Sequence, residues 1–312
     1  MQSATATPKK IAPIRIVILV NIVLLAERVE ALGNVAATLT DYIRGLRGSS
    51  SPCVARASDG QFYVVKFAKD MLSRNLPFNE SVGTEIYRSL GMNTPRWRPL
   101  IANKGFLEKV KEASSGGGNG DFASDHELCF GSTYIGCQND RLLQILPGTC
   151  FSKVQEPEQF WLSWAVDICA DHTDNRQALF LEGANGSLKT YFIDHGCMLG
   201  GADGAKYPHF LASEYLDERI YPKLDFRQAS AFQMTLRELD VDLIWRKALS
   251  LPEEWITKSA LSRLGICLNR LTNREVLESI VSMFLEFKGR GQFARGIARP
   301  RTAANKHSLL RA

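Results

Sequence analysis

Three aspartates stand at the ends of two short apolar segments near the middle of the chain. Asp171 and Asp174 lie in "DHTDNRQALFL" (171–181), and Asp194 follows the segment "TYFI". The turn "EGANGSLK" joins the two segments, which predicts a β-hairpin. Because antiparallel strands joined by a short turn return to the same edge, Gln177 and Asp194 should lie close together. Carboxylates without a cation would repel each other, so the spacing predicts a bound cation.

Residues of other types precede these aspartates in the order that phosphoryl transfer from ATP requires. The loop "RGSSSP" contains Gly48, Ser49 and Ser50, which could cover the phosphates. Lys66 in the strand-like segment "QFYVVKF" would neutralise the phosphates, and Glu80 on the next helix would orient the lysine. One aspartate would then position the acceptor hydroxyl, and a second would hold Mg²⁺.

Most of these residues also have a purely structural explanation. The glycine- and serine-rich loop lacks the GxGxxG and GxxxxGK[ST] motifs and could be a solvated turn. Lys66 could extend its ammonium to solvent, Glu80 could face water, and Asp174 could cap a helix or a turn. An acid at the end of a buried strand is harder to explain by stability, which favours a functional role for Asp194.

Local patterns predict the elements that would position these residues. The Asp-Gly pair between "CVARA" and "QFYVVKF" is typical of a hairpin, and the apolar spacing of residues 78–91 predicts a helix that Gly91 ends. The segment "PEQFWLSWAVDICAD" (157–171) predicts an amphipathic helix. From about residue 208 the chain reads as helices, beginning with "YPHFLASEYLDERIY". This order predicts an α+β fold of two lobes, β-rich in the N-terminal lobe and mainly helical in the C-terminal lobe.

Composition limits the class of protein. The 312 residues are 45% hydrophobic, enough for a sizeable core, and the net charge of +5 does not by itself indicate a nucleic-acid partner. Seven cysteines without a CxxC pair give no support to a zinc site and suit a reducing cytoplasm.

The apolar run at 16–26 is too short to span a bilayer, which predicts no membrane association. Its length also suits a signal-peptide core, so a secretory segment is the alternative to a disordered start followed by a core element.

Taken together, five stretches of the sequence resemble the HipA-like kinases, in the compact branch that lacks a separate N-terminal partner-binding module. They cover roughly residues 28 to 200, and they read "RGLRGSSSPCVARASDGQFYVVKFAKD", "NLPFNESVGTEIYRSLGMNTPRWRPLI", "CFGSTYIG", "VDICADHTDNRQALF" and "FIDHGCML".

The resemblance implies a protein-kinase-like fold, with Mg²⁺ and ATP as cofactors and a protein serine or threonine hydroxyl as acceptor. It matches Lys66 to the strand lysine that contacts ATP and Glu80, in "NE", to the helix acid that pairs with it. Asp174 corresponds to the catalytic aspartate, since "DHTD" stands where the family shows N-x-D. Asp194, in "IDHG", corresponds to the aspartate that binds magnesium.

The sequence departs from the kinase pattern at the catalytic loop. The asparagine expected five residues after Asp174 is replaced by Leu179, which cannot bind magnesium. Gln177 precedes the apolar strand where that asparagine normally stands, and its amide oxygen could serve after a shortening of the loop by two residues. His172 also replaces an asparagine. A nucleotide-binding pseudokinase with little or no transfer activity is therefore the alternative function.

The expected organisation has five parts. They are an N-terminal extension (1–27), an N-terminal lobe (28–110), a flexible insert (111–125), a C-terminal lobe with the catalytic segment (126–287) and a basic tail (288–312). ATP would lie between the lobes. A nucleic-acid partner is not expected, and the protein substrate cannot be read from the sequence.

Overall fold

The computed structural model describes seven stretches of the chain, which are residues 36–47, 50, 52–68, 74–113, 126–136, 141–201 and 214–287. Gly48, Ser49, the apolar run at 16–26 and the basic tail lie outside them. Within the described stretches, no helix is long and apolar enough to cross a bilayer.

The first part of the described chain is a closed five-stranded barrel. Its strands are β1 (Ala37–Gly45), β2 (Cys53–Ala57), β3 (Phe62–Lys66), β4 (Trp97–Asn103) and β5 (His126–Thr133). Their order around the barrel is β1-β2-β3-β5-β4, and a parallel pairing of β4 with β1 closes it. The predicted hairpin is present, because β2 pairs with β3 in antiparallel register across a turn that contains Gly60 at φ +79°.

Two helices accompany the barrel in the described residues. α1 (Leu76–Ser89) follows β3, as the sequence predicts, and Gly91 beyond its end has φ +77°. α2 (Lys104–Ala113) follows β4 and buries three apolar side chains with the barrel interior. The sequence patterns above do not predict α2. Its last turn extends into the range 111–125, where a flexible insert is predicted.

The second part is mainly helical and contains a small sheet. β6 (Leu142–Leu143), β7 (Gln177–Glu182) and β8 (Leu188–Ile193) form an antiparallel sheet in that order. The α-helices are α3 (Gln159–Cys169), α4 (Phe226–Arg237), α5 (Val241–Leu249), α6 (Lys258–Thr272) and α7 (Arg274–Glu286). Short 3₁₀ helices lie at Gly148–Lys153, Glu218–Ile220 and Glu253–Trp255.

The apolar side chains form two separate cores. One fills the barrel. The other joins α3, the β7–β8 hairpin and the C-terminal helices, and it includes the buried face of α1, with Phe78, Val82, Ile86 and Tyr87. Helix α1 therefore follows a barrel strand in sequence but shares its core with the C-terminal part. Its position makes it a link between the two parts.

The expectation of an α+β fold with a β-rich N-terminal part and a helical C-terminal part is confirmed. The boundary at residue 126 is wrong, because β5 hydrogen-bonds to β3 and β4 and so belongs to the barrel. The helix predicted over "YPHFLASEYLDERIY" is absent from its described residues, 214–221, apart from the 3₁₀ turn. The Asp217 side chain accepts from the Arg219 N–H there, and Pro222 disfavours continuation of a helix.

Gly83 allows α1 to approach the loop after β8 (residues 194–201, the post-β8 loop). A Cβ at this position would lie 2.5 Å from His195 Cβ and 2.6 Å from Met198 Sδ. We expect Gly83→Ala to lower the free energy of unfolding by about 1–3 kcal/mol, because overpacking of this contact outweighs the gain in helix propensity. Denaturant unfolding followed by circular dichroism measures the change.

Gly265 provides the matched control, since it is also a helical glycine. A Cβ at this position in α6 would make only an ordinary contact, 3.6 Å from Trp245. Gly265→Ala should therefore raise the free energy of unfolding by about 0.5–1 kcal/mol. Equal stabilisation by both substitutions would show that α1 does not pack tightly on the post-β8 loop.

Candidate active site

Lys66 at the end of β3 is a buried ammonium group with two carboxylate partners. Its Nζ donates to Glu80 Oε1 on α1 and, at 2.6 Å, to Asp194 Oδ1 after β8. Only 8% of the residue is exposed. Burial alone would lower the pKa of Lys66, but the charges of Glu80 and Asp194 raise it above its ordinary value. The predicted Lys66–Glu80 ion pair is present, and Lys66 does not extend to solvent.

Helix α1 also holds the backbone of the post-β8 loop. Glu80 accepts from the backbone N–H groups of His195 at 3.1 Å and Gly196 at 3.0 Å. The neighbouring Asn79 donates from Nδ2 to the carbonyl oxygens of Gly196 at 3.0 Å and Met198 at 2.7 Å. Burial raises the pKa of Glu80, while the charge of Lys66 opposes the shift. The two side chains thus attach α1 to the loop that carries Asp194.

Asp194 lies at the end of β8 in a left-handed backbone conformation, with φ +63°. Its Oδ2 accepts from Gln177 Nε2 at 2.6 Å, so the hairpin brings these two residues together as the sequence predicts. Burial would raise the pKa of Asp194, but the charge and hydrogen bond of Lys66 lower it to about 2. The Lys66 ammonium is therefore a positive partner of the Asp194 carboxylate, for which the sequence predicts only Mg²⁺ as a partner.

His172 connects the segments that carry the two predicted functional aspartates. Its Nδ1 lies 2.6 Å from the carbonyl oxygen of Asp174, and its Nε2 lies 3.4 Å from that of Asp194. The imidazole is buried, whereas the residue Asp174 is exposed. The Asp174 carboxylate accepts the N–H of Asn175 at 2.8 Å. Asp174 therefore stands beside the cluster of Lys66 and Asp194 and can meet a molecule that enters from solvent.

Other predicted positions lie apart from this cluster or outside the described residues. Of the predicted phosphate loop, Gly48 and Ser49 lie outside the described residues, and Ser50 lies in the turn between β1 and β2. Asp171 points elsewhere, because its carboxylate pairs with Arg270 at 2.8 Å. Leu179 is within β7 opposite Tyr191.

Sequence reasoning missed three residues that position the site. They are Asn79, Asp167 and Arg176. Asn79 donates to the post-β8 loop, and Arg176 and Asp167 form a buried ion pair. Asp167 had a visible signal, since it is a lone acid in the apolar helix segment "FWLSWAVDIC". Buried charges are costly unless they are paired, so an acid in such a segment predicts a partner. The sequence does not identify that partner as Arg176.

The side chains present fit a magnesium ion that is shared with a nucleotide. Among the described residues, no group of three or more His, Cys, Asp and Glu side chains could hold a metal by itself. Magnesium usually keeps several waters and is held by one or two carboxylates together with substrate phosphates. Asp194 offers a carboxylate at this point, and a half-turn of the Gln177 amide would present its oxygen beside Asp194 Oδ2.

No protein-family model and no curated protein matches the chain. Among solved structures it is similar to the proinflammatory kinase CtkA of Helicobacter pylori, with 13% identity over 80% of this chain and 97% of that chain and a TM-score of 0.49. It is also similar to the Golgi casein kinase with Mn/ADP bound, with 12% identity over 82% and 74% of the two chains and a TM-score of 0.47. For the choline kinase LicA of Streptococcus pneumoniae, identity is 12% over 82% and 98% of the chains, with a TM-score of 0.23.

His195 makes the folded state sensitive to mild acid. The side chain is buried against Tyr87, with ring centroids 4.5 Å apart, and its Nδ1 lies 3.3 Å from Arg176 Nη1. Burial and the positive charges of Arg176, His172 and Lys66 hold the pKa of His195 well below its ordinary value. Below about pH 6.5, the ordinary value for histidine, the unfolded chain therefore takes up a proton that the folded chain does not.

We expect the free energy of unfolding of the parent protein to fall as the pH falls from 7 to 5. His195→Phe should reduce this fall by up to about 1.4 kcal/mol per pH unit, the contribution of one proton. Chemical unfolding at several pH values measures the slope. The control is His126→Gln in β5, where the histidine is exposed. Equal slopes for the parent and His195→Phe would contradict the prediction.

Proposed function

We propose that the protein is an ATP- and Mg²⁺-dependent kinase of the HipA-like type that phosphorylates a serine or threonine hydroxyl of a protein. The observation that carries this proposal is the buried Lys66 ammonium held by Glu80 and Asp194. Kinase catalysis needs a strand lysine paired with a helix glutamate, together with an aspartate that holds the metal. Lys66 contacts both carboxylates here, and the three groups come from β3, α1 and the end of β8.

The geometry supports distinct roles for the site residues. Lys66 would donate to the phosphate oxygens, while Glu80 holds its ammonium in place. Asp194 and Gln177 would hold Mg²⁺, which when bound neutralises charge that develops on the phosphates. The exposed Asp174 carboxylate would position the acceptor hydroxyl and take its proton.

A pseudokinase is the second candidate, and the contacts of Gln177 favour it. Gln177 stands where kinases carry an asparagine, and it donates its amide nitrogen to Asp194 at 2.6 Å. The longer glutamine side chain places its oxygen less tightly than asparagine would. Such a site could bind nucleotide and transfer phosphate slowly or not at all.

The nature of the acceptor rests on the sequence resemblance. The likeness to HipA-like kinases supports a protein serine or threonine as acceptor. The cysteine pattern supports a location in the reducing cytoplasm. Ser50 and its neighbours Gly48 and Ser49 remain the proposed phosphate loop. ATP would lie between the barrel and the C-terminal part, beside Lys66.

Asp194→Asn should abolish the tightening of ATP binding by magnesium, because the neutral amide removes the charge that attracts the metal. Calorimetric titration of ATP, in magnesium and in EDTA, measures this difference for the parent and the variant. The control is Asp171→Asn, an aspartate of the same region that pairs with Arg270 instead. Asp171→Asn should retain the magnesium effect of the parent. If the parent itself shows no magnesium-dependent binding, the kinase proposal is wrong.

Asp174→Asn should lower phosphate transfer without weakening ATP binding. We expect ATP affinity to stay nearly unchanged, because the Asp174 carboxylate contacts none of Lys66, Glu80 and Asp194 in hydrogen bonds. Transfer of the γ-phosphate should fall roughly 10²-fold or more, the scale of general-base contributions. Radiolabelled ATP, with the protein itself and with a generic protein as acceptors, measures transfer. Absence of transfer by the parent, with intact ATP binding, would favour the pseudokinase.

A further inference from the structure

Arg176 is a buried arginine that precedes Gln177 by one residue. Its side chain is 1% exposed, and it forms a two-point ion pair with Asp167 of α3. Nε donates to Asp167 Oδ2 at 2.8 Å, and Nη2 donates to Asp167 Oδ1 at 2.6 Å. The guanidinium also lies over the ring of Tyr87, 5.0 Å from its centroid. These contacts fix the plane of the guanidinium.

The third nitrogen of the same guanidinium reaches the end of β8. Nη1 donates to the carbonyl oxygen of Ile193 at 2.7 Å and to that of Asp194 at 3.3 Å. Asp194 needs such support, because a non-glycine residue at φ +63° is in a sparsely populated conformation. The contact sits at the residue whose carboxylate binds both Lys66 and Gln177.

Stability alone is a weak reason for this ion pair. Replacing a buried ion pair with apolar residues of similar volume is often neutral or stabilising. An apolar pair could fill the space between α3 and the hairpin, but it could not hold two backbone carbonyls. The Arg176 side chain therefore fixes the position of the backbone at the end of β8, which apolar packing alone would not do.

We infer that Arg176 is a positioning residue for the metal, which sets the backbone at Asp194 and the start of β7 so that Asp194 and Gln177 face the same point. The inference rests on the proposed function, since it assumes that these two residues hold magnesium. In this role Arg176 would act through the Ile193 and Asp194 carbonyls and not as a ligand of the metal. Supporting contacts of this kind typically change metal affinity by 10- to 100-fold when they are lost.

Arg176→Lys provides the test, because lysine keeps the charge but loses the planar fork. One ammonium cannot satisfy both Asp167 oxygens and also hold the two carbonyls. The ratio of ATP affinities in magnesium and in EDTA should fall roughly 10- to 100-fold. Affinity in EDTA, which depends on Lys66, should stay close to that of the parent. Calorimetry measures both affinities at a temperature where circular dichroism shows the variant folded.

Arg98→Lys is the matched control, since Arg98 pairs with Asp59 at 2.7 Å on the barrel and makes no contact with Asp194. It should keep the ratio of the parent. If Arg176→Lys keeps that ratio as well, Arg176 is structural and the inference fails while the proposed function stands. If the parent shows no magnesium effect, both fail together.

Tyr87→Phe tests the positioning role of Arg176 if Arg176→Lys does not fold. It removes only the hydroxyl that donates to Asp167 Oδ1 at 2.9 Å, and it keeps the ring beneath the guanidinium. A positioning role predicts a smaller loss of the magnesium effect in the same direction. An unchanged ratio in folded Tyr87→Phe, beside an unfolded Arg176→Lys, would assign this network to stability alone and overturn the inference.

Discussion

The buried ammonium of Lys66 joins the parts of this fold. Lys66 comes from the barrel, Glu80 from α1 and Asp194 from the end of the β7–β8 hairpin. An unpaired ammonium or carboxylate at this depth would be costly, so each element needs the charged groups of the others. Apolar contacts contribute to the same arrangement, because Phe130 of β5 packs in the C-terminal core, while the rest of the barrel interior forms a separate cluster. The ion pairs add a direct polar link from β3 to α1 and to the end of the hairpin.

Polar contacts extend this arrangement from the lysine to the backbone around Asp194. α1 shares the C-terminal core and binds the post-β8 loop through Asn79 and Glu80. Arg176, which precedes β7 and pairs with Asp167 of α3, donates to the carbonyl oxygens of Ile193 and Asp194. The backbone at Asp194 is thus held from two directions, which explains how its left-handed conformation persists. A site built this way is organised by contacts within the protein itself.

Local patterns in the sequence were sufficient for the β2–β3 hairpin, the helix after β3 and the meeting of Gln177 with Asp194. Each depends on residues near in sequence, where turn chemistry and periodicity act directly. The sequence does not reveal that β5 belongs to the barrel, because its partner β3 is distant in the chain and strand pairing between distant segments has no local sequence pattern. Arg176 was missed for a similar reason. A charged residue before a strand usually faces solvent, and only the packing of α3 places Asp167 opposite it.

A crystal structure of the protein with Mg²⁺ and a non-hydrolysable ATP analogue tests the central claim most directly. The account predicts a triphosphate in contact with Lys66 Nζ and a metal ion bound by Asp194, with the Gln177 amide oxygen turned toward it. Glu80 should remain paired with Lys66. Nucleotide bound away from Lys66, or a Lys66–Asp194 pair unchanged beside an empty metal position at saturating nucleotide, would contradict the account.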